Sequence, residues 1–322
     1  MSTEKRLLEP SDIPDTLWDS AAATLILPAA LASAYTTLID RYDLRALSES
    51  RDSDNPPAGG ISQEHTDLHF AQAFDGSAAR AQLALLDPQD QLAAASNAYL
   101  SSIAGNRVSL TDAPCGAGPA ALSFLCNIAE LRAKDVLPRE PLDVHLIGAE
   151  ISDPARKYAR ELLDEVRPFL EGQAINVECE FVSWDVLSPS SNTHLIQRMT
   201  LAAAGHPNRL LLVANFNAFL QRDGKRKEAQ PHLSELFRYA AGPKSAAVWI
   251  EPDMNNATDA GGLLTWLRHM IATAWKIFAS EAAHTDAPIA TCSARFISPL
   301  HPAERPRVKL AVIPIELAWK PQ

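Results

Sequence analysis

Asp112 leads into Ala113, Pro114, Cys115, Gly116, Ala117, Gly118 and Pro119, an acid followed by a tight Gly-x-Gly turn. Glycine in such a turn lets the backbone approach a ligand closely, and proline suits the first turn of a helix that starts there. With Ala121 the spacing also fits a dinucleotide fingerprint, which would imply NAD and an oxidoreductase. A pyrophosphate turn usually follows its strand directly, whereas here Thr111 and Asp112 come first and the carboxylate would repel phosphates. That carboxylate suits a cationic ligand instead. Two further acids end apolar runs. Glu150 can accept both hydroxyls of a ribose, and Asp185, flanked by Trp184 and Val186, can accept from an adenine amino group.

Other residues qualify for substrate chemistry. Asn215, at the end of a fourth apolar run, and Asn217 just beyond it carry amides that can position a substrate. Glu251 and Asp253 close a fifth, and either can serve as a base or hold a cationic substrate. Arg222, Lys225, Arg226 and Lys227 form a basic cluster, read as a loop near the same rim, where it is either solvated or binds substrate phosphate, which keeps nucleic acid open as a partner. His65 and His69 share a helix face by their spacing of four, a pattern equally suited to a surface, and no metal site is assigned. Cys115 lacks an evident histidine partner and reads as packing.

These residues need strands to carry them. Short apolar runs cover residues 107–113, 143–150, 176–185, 209–216 and 245–252, separated by helix-length segments, which predicts a parallel sheet with helices on both faces. Two more runs, 289–297 and 307–317, are joined by a short Pro-rich link that holds no crossover helix, so they form an antiparallel hairpin. The fold class is therefore α/β, a doubly wound seven-stranded sheet with an antiparallel C-terminal hairpin. Before it, residues 16–47 and 67–103 read as mainly helical, with Asp19 or Ser20 capping a core helix over 21–35. Residues 48–63, rich in charge, Pro and Gly, read as a mobile loop. The expected division is 1–104, a helical lid or substrate region, and 105–322, the core.

Composition excludes other classes. In 322 residues, 47% hydrophobic and 21% charged is globular, and 29 Lys and Arg against 39 Asp and Glu leave a net charge of -10, without the overall footprint of a nucleic-acid binder. The longest apolar run is interrupted by Pro28 and is too short to span a bilayer. Four cysteines without a C-x-x-C pair fit a reducing cytoplasm.

The three strand-end acids and the seven-strand pattern together resemble the class I S-adenosylmethionine-dependent methyltransferase family from about residue 107 to the C-terminus. The resemblance implies S-adenosylmethionine as cofactor. Asp112, Pro114, Gly116, Ala117 and Gly118 would contact its amino-acid part, Glu150 its ribose, and Trp184, Asp185 and Val186 its adenine, with Asn215 lining the transfer site. Pro114 stands where the family usually has glycine. The two prolines that follow this asparagine in amino-methylating nucleic-acid enzymes are missing, which favours a small-molecule or protein acceptor. Alternatives are an RNA or ribosome-associated methyltransferase, which the strand-end Asn, helix and Trp-Ile-Glu-Pro strand resemble, and a non-catalytic binding platform.

Overall fold

A computed structural model describes residues 5–50, 59–242, 244–252, 262, 266–267 and 289–317. Seven strands form the expected core: β3 (Arg107–Asp112), β4 (Leu142–Glu150), β5 (Ile175–Ser183), β6 (Asn208–Ala214), β7 (Lys244–Pro252), β8 (Ala290–Ile297) and β9 (Arg307–Glu316). Two short strands, β1 (Trp18–Asp19) and β2 (Thr24–Ile26), extend the sheet to nine in the order β1-β2-β8-β9-β7-β6-β3-β4-β5. From β5 to β7 every pairing is parallel, and β9 runs antiparallel between β7 and β8. The chain leaves β3 towards β4 and β5 on one side and returns to β6 and β7 on the other. The strand order therefore reverses between β3 and β6, the place where open α/β sheets bind ligands.

Alternation along the strands sends side chains to two cores. Val108, Leu110, Val144, Leu146, Leu210, Leu212, Val248 and Ile250 face α1 (Ala29–Arg41), α3 (Gln63–Leu86), α4 (Ala93–Ile103), α5 (Pro119–Ala133) and α6 (Asp153–Gly172). Ile147, Leu211, Val213 and Trp249 face α7 (Pro189–Gly205), α8 (Asn217–Gln221) and α9 (Lys225–Ala240). The first core takes in residues from Leu8 to Val312, so the helices before residue 104 share one interior with the sheet. Its centre is α3, capped by Ser62, which accepts from the His65 N–H, and buried along most of its length against α4, α5, α6 and strands β7, β8 and β9. Tyr35 of α1 locks onto it, stacking on Phe74 at 4.8 Å and donating to the carbonyls of Phe70 and Ala71.

The N-terminal reading needs correction. Residues 16–47 are not one helical stretch, because Thr24 to Ile26 pair with Arg295 to Ile297 of β8 and Pro28 delays the helix until Ala29. Asp19 caps no helix; its carboxylate accepts from the Ala22 N–H and closes the β1–β2 turn. An exposed edge of β8 recruited an apolar segment whose local pattern also suits a helix. Within the expected loop over 48–63, Ser48 and Glu49 end a short helix, α2 (Arg45–Glu49), and Gln63 opens α3. Among the described residues no helix is long and apolar enough to cross a membrane.

Tyr35→Ala should lower unfolding stability by about 3–5 kcal/mol through the cavity left between α1 and α3, read as a lower denaturant midpoint.

Candidate active site

The β3–α5 turn is built around Asp112, which is fully buried. Gly118 caps α5 with φ +81°, Pro119 fills its first position, and Asp112 Oδ2 accepts from the Ala121 N–H at 3.2 Å. The helix start thus receives a carboxylate from the strand before it, where the dipole favours negative charge. Asp112 Oδ1 is buried and has no hydrogen-bond partner. Burial pushes this carboxyl up to about 7, against an ordinary 3.8. The Tyr99 hydroxyl of α4 is likewise buried without a partner, and burial followed by the charge of Asp112 raises its pKa. Nothing in the Ala-rich sequence of α4 separates Tyr99 from an ordinary core aromatic.

Glu150 and the glycine turn hold each other. Glu150 Oε2 accepts from the Gly116 N–H at 3.0 Å and Oε1 from the Ser152 N–H at 2.9 Å, while Ser152 caps α6. Burial raises its carboxyl, with these backbone hydrogen bonds opposing the rise. Each carboxylate oxygen retains a second acceptor position. Gly116 has φ +53°, and a β-carbon there would meet no atom within 4 Å, so the turn faces open space that an L side chain could reach only with strain. Pro114 offers no N–H; the next donor, Cys115, bonds the Ala149 carbonyl and stitches the turn to β4. Ala117 lies half-exposed between the two glycines. Burial, with the charges of Asp112 and Glu150, raises the Cys115 thiol well above its usual range, which removes it as a nucleophile.

The third acid sits differently from the sequence reading. The β5 strand stops at Ser183, and Asp185 occupies a turn in which its Oδ1 accepts from the Leu187 N–H at 2.9 Å. Trp184 and Val186 are buried in the core under α7 and α9, with the Trp184 indole donating to Asn192 at 3.4 Å. Asp185 remains half-exposed at the rim, whereas the two flanking side chains point into the protein.

At the end of β6 the backbone turns through Asn215 with φ +56°. Its N–H bonds the Ile250 carbonyl, its Nδ2 donates to Ser77 Oγ of α3 at 3.1 Å, and its Oδ1 is buried without a partner. The turn is held by Glu251, whose Oε1 accepts from the Phe216 and Asn217 N–H groups, both at 2.9 Å, and from the Trp249 indole at 2.6 Å. Burial pushes the Glu251 carboxyl up to about 7. Glu251 therefore organises the turn rather than standing at the rim as an available base. Asp253, expected beside it, lies outside the described residues.

The basic cluster is not a loop. Arg222 belongs to a short 3-10 turn and Lys225, Arg226 and Lys227 open α9. Arg222 and Lys227 are exposed, Lys225 lies over the Phe219 ring, and Arg226 turns inward to Asn217 Oδ1. Arg80 of α3 donates to Ser77 Oγ at 3.1 Å. Ser77 and Arg80 carry no motif; only their spacing on one face of α3 marks them. Burial and the charge of Arg80 lower the His69 imidazole, while His65 is exposed and bonded to Ser62. No group of three or more His, Cys, Asp or Glu able to hold a metal occurs among the described residues.

The donor set fits an S-adenosyl amino acid. A buried, bare carboxylate oxygen suits an ammonium, the open side of Gly116 admits a ligand, and Glu150 retains acceptor capacity for hydroxyls. A separate groove of about 470 Å³ between α7 and α9, lined by Ile196, Leu201 and Tyr239 among others, lies on one face of the sheet and touches none of these groups.

No protein-family model and no curated protein matches the chain. Similar solved structures include a Listeria monocytogenes protein assigned to the class I S-adenosylmethionine-dependent methyltransferases, at 14% identity over 92% of this chain and 89% of that one, TM-score 0.36. Another is human N-acetylserotonin methyltransferase in complex with S-adenosylmethionine, at 12% identity over 90% and 73%, TM-score 0.26.

With Asp112 raised to about 7, the native chain holds a proton that the unfolded chain releases near 3.8. Asp112 thus makes stability fall as pH rises through that window. The urea midpoint of Asp112→Asn should fall less steeply than that of the unmodified chain between those pH values.

Proposed function

We propose that the chain is an S-adenosylmethionine-dependent methyltransferase acting on a small molecule or a protein. The observation that carries this reading is Asp112 Oδ1, a buried acceptor without a partner at the point where the strand order reverses. A structural cap alone would not require the second oxygen to be left bare, whereas an ammonium would complete it. Glu150, tied to Gly116, is held where its remaining lone pairs can receive ribose hydroxyls. The half-exposed Asp185 suits the adenine amino group, with Trp184 and Val186 supporting the turn from below. Bound S-adenosylmethionine supplies a sulfonium-activated methyl group. The protein's part is to orient the acceptor and exclude water. Asn215 Nδ2 is engaged by Ser77, so its Oδ1 is left to accept from an N–H or O–H of the acceptor. Asn217, engaged by Arg226, steadies that turn. The inward direction of Arg226 leaves too little of the basic cluster on the surface to track a nucleic-acid backbone, which supports the smaller acceptor.

Isothermal titration with S-adenosylhomocysteine, with NAD in parallel, tests the reading. The expected result is saturable binding of the first alone, tightening as pH rises towards about 7 because the ammonium requires the ionised acid. Asp112→Asn should weaken binding by about 10-fold to 100-fold and flatten that pH dependence. Binding of NAD, or of neither compound, would reject it.

A further inference from the structure

We propose that the hydroxyl of Tyr99 on α4 is the second polar partner of the ligand ammonium, receiving it together with Asp112 Oδ1. This rests on the S-adenosyl amino acid reading of the site and adds to it a residue from before the core. Separate observations bring the two groups to one place. Asp112 follows Val108 and Leu110 in the alternation of β3, so it faces the interior that holds Tyr99 and Phe124. α4 packs on β3 and only residues 104–106 separate the two elements, so they run in opposite directions. Side chains lean towards the N-terminus of their helix, which tilts Tyr99 along β3 towards the end that carries Asp112. The Tyr99 ring lies 5.4 Å from that of Phe124, about one turn of α5 beyond Ala121, whose N–H is the donor to Asp112 Oδ2. The charge of Asp112 also acts on the Tyr99 hydroxyl, second only to burial.

Neither group receives from the protein what it needs. Both side chains are fully buried, and the Tyr99 hydroxyl and Asp112 Oδ1 are each without a hydrogen-bond partner. Bare buried polar atoms are costly, and here two of them stand in one interior without bonding to each other. A core that needed only an aromatic ring against Phe124 would be served by phenylalanine, with no hydroxyl to leave bare. An ammonium carries three N–H donors, so one can go to the carboxylate oxygen and a second to the phenol oxygen. Burial raises the Tyr99 pKa, so the phenol keeps its proton and adds a lone pair without adding a second negative charge beside Asp112. The N-terminal helices thus contribute to the cofactor site a group that the glycine turn and the strand-end acids do not supply.

The test is calorimetric titration of the full chain and its Tyr99→Phe variant with S-adenosylhomocysteine and with methylthioadenosine, which keeps the adenosine and lacks the ammonium. Tyr99→Phe should bind S-adenosylhomocysteine about tenfold more weakly than the unmodified chain and methylthioadenosine equally well. The ligand-free variant should melt at the same temperature or higher, because the change removes a bare buried hydroxyl and leaves the ring in place. Combined with Asp112→Asn, it should lose less affinity than the product of the two single losses, since both residues act on one group. Unchanged S-adenosylhomocysteine affinity in Tyr99→Phe, or an equal loss for both ligands, overturns the proposal. A lower melting temperature of the ligand-free variant also overturns it, by showing that the hydroxyl is satisfied without the ligand. If the unmodified chain binds neither compound, the cofactor reading falls and takes the proposal with it, whereas tight binding that Tyr99→Phe leaves untouched removes the role of Tyr99 alone.

Discussion

A carboxylate taken out of water must be repaid in hydrogen bonds or left under strain, and this chain buries two of them at strand ends with opposite outcomes. Glu251 gathers three donors on one oxygen and fixes the turn after β6. Asp112 receives a single backbone N–H and keeps its second oxygen bare beside the equally unpartnered Tyr99 hydroxyl. The first arrangement is complete as it stands. The second leaves one buried oxygen without a donor.

The helices before the core make it possible. Sheets of this type leave their strand ends to the loops that follow them, but here α3 is buried beside β7, β8 and β9 and sends Ser77 to the turn after β6. The aromatic contacts of Tyr35 with Phe70 and Phe74 bind that helix to α1, and β2 ties the segment before it into the sheet. Site and N-terminal region therefore share one core, and Ser77 and Arg80 reach the turn because apolar packing elsewhere on α3 holds them there.

Much of this was legible in the residues. The seven core strands follow the apolar runs within one or two positions, because strands buried on both faces leave near-continuous hydrophobic signals. Asp112, Gly116 and Glu150 converge because a turn after one strand and an acid after its neighbour must meet at the same sheet edge. What was not legible depended on distant partners. The β2 strand exists only because β8 offers an edge, and no local pattern reports that. The family resemblance set Trp184 against the adenine, and in the fold α7 and α9 close over its side chain. Glu251 looked like a rim acid, and only the fold reveals the three donors that bind it. Tyr99, Ser77 and Arg80 were invisible as site residues because nothing in an Ala-rich helix says which side chain will face a strand end.

The most direct test of the central claim is a crystal structure of the chain grown with S-adenosylhomocysteine. The account requires the ligand ammonium on Asp112 Oδ1 and ribose hydroxyls on Glu150, with Gly116 against the ligand. A ligand bound elsewhere, or Asp112 Oδ1 filled by a protein group while the ligand is bound, would contradict it.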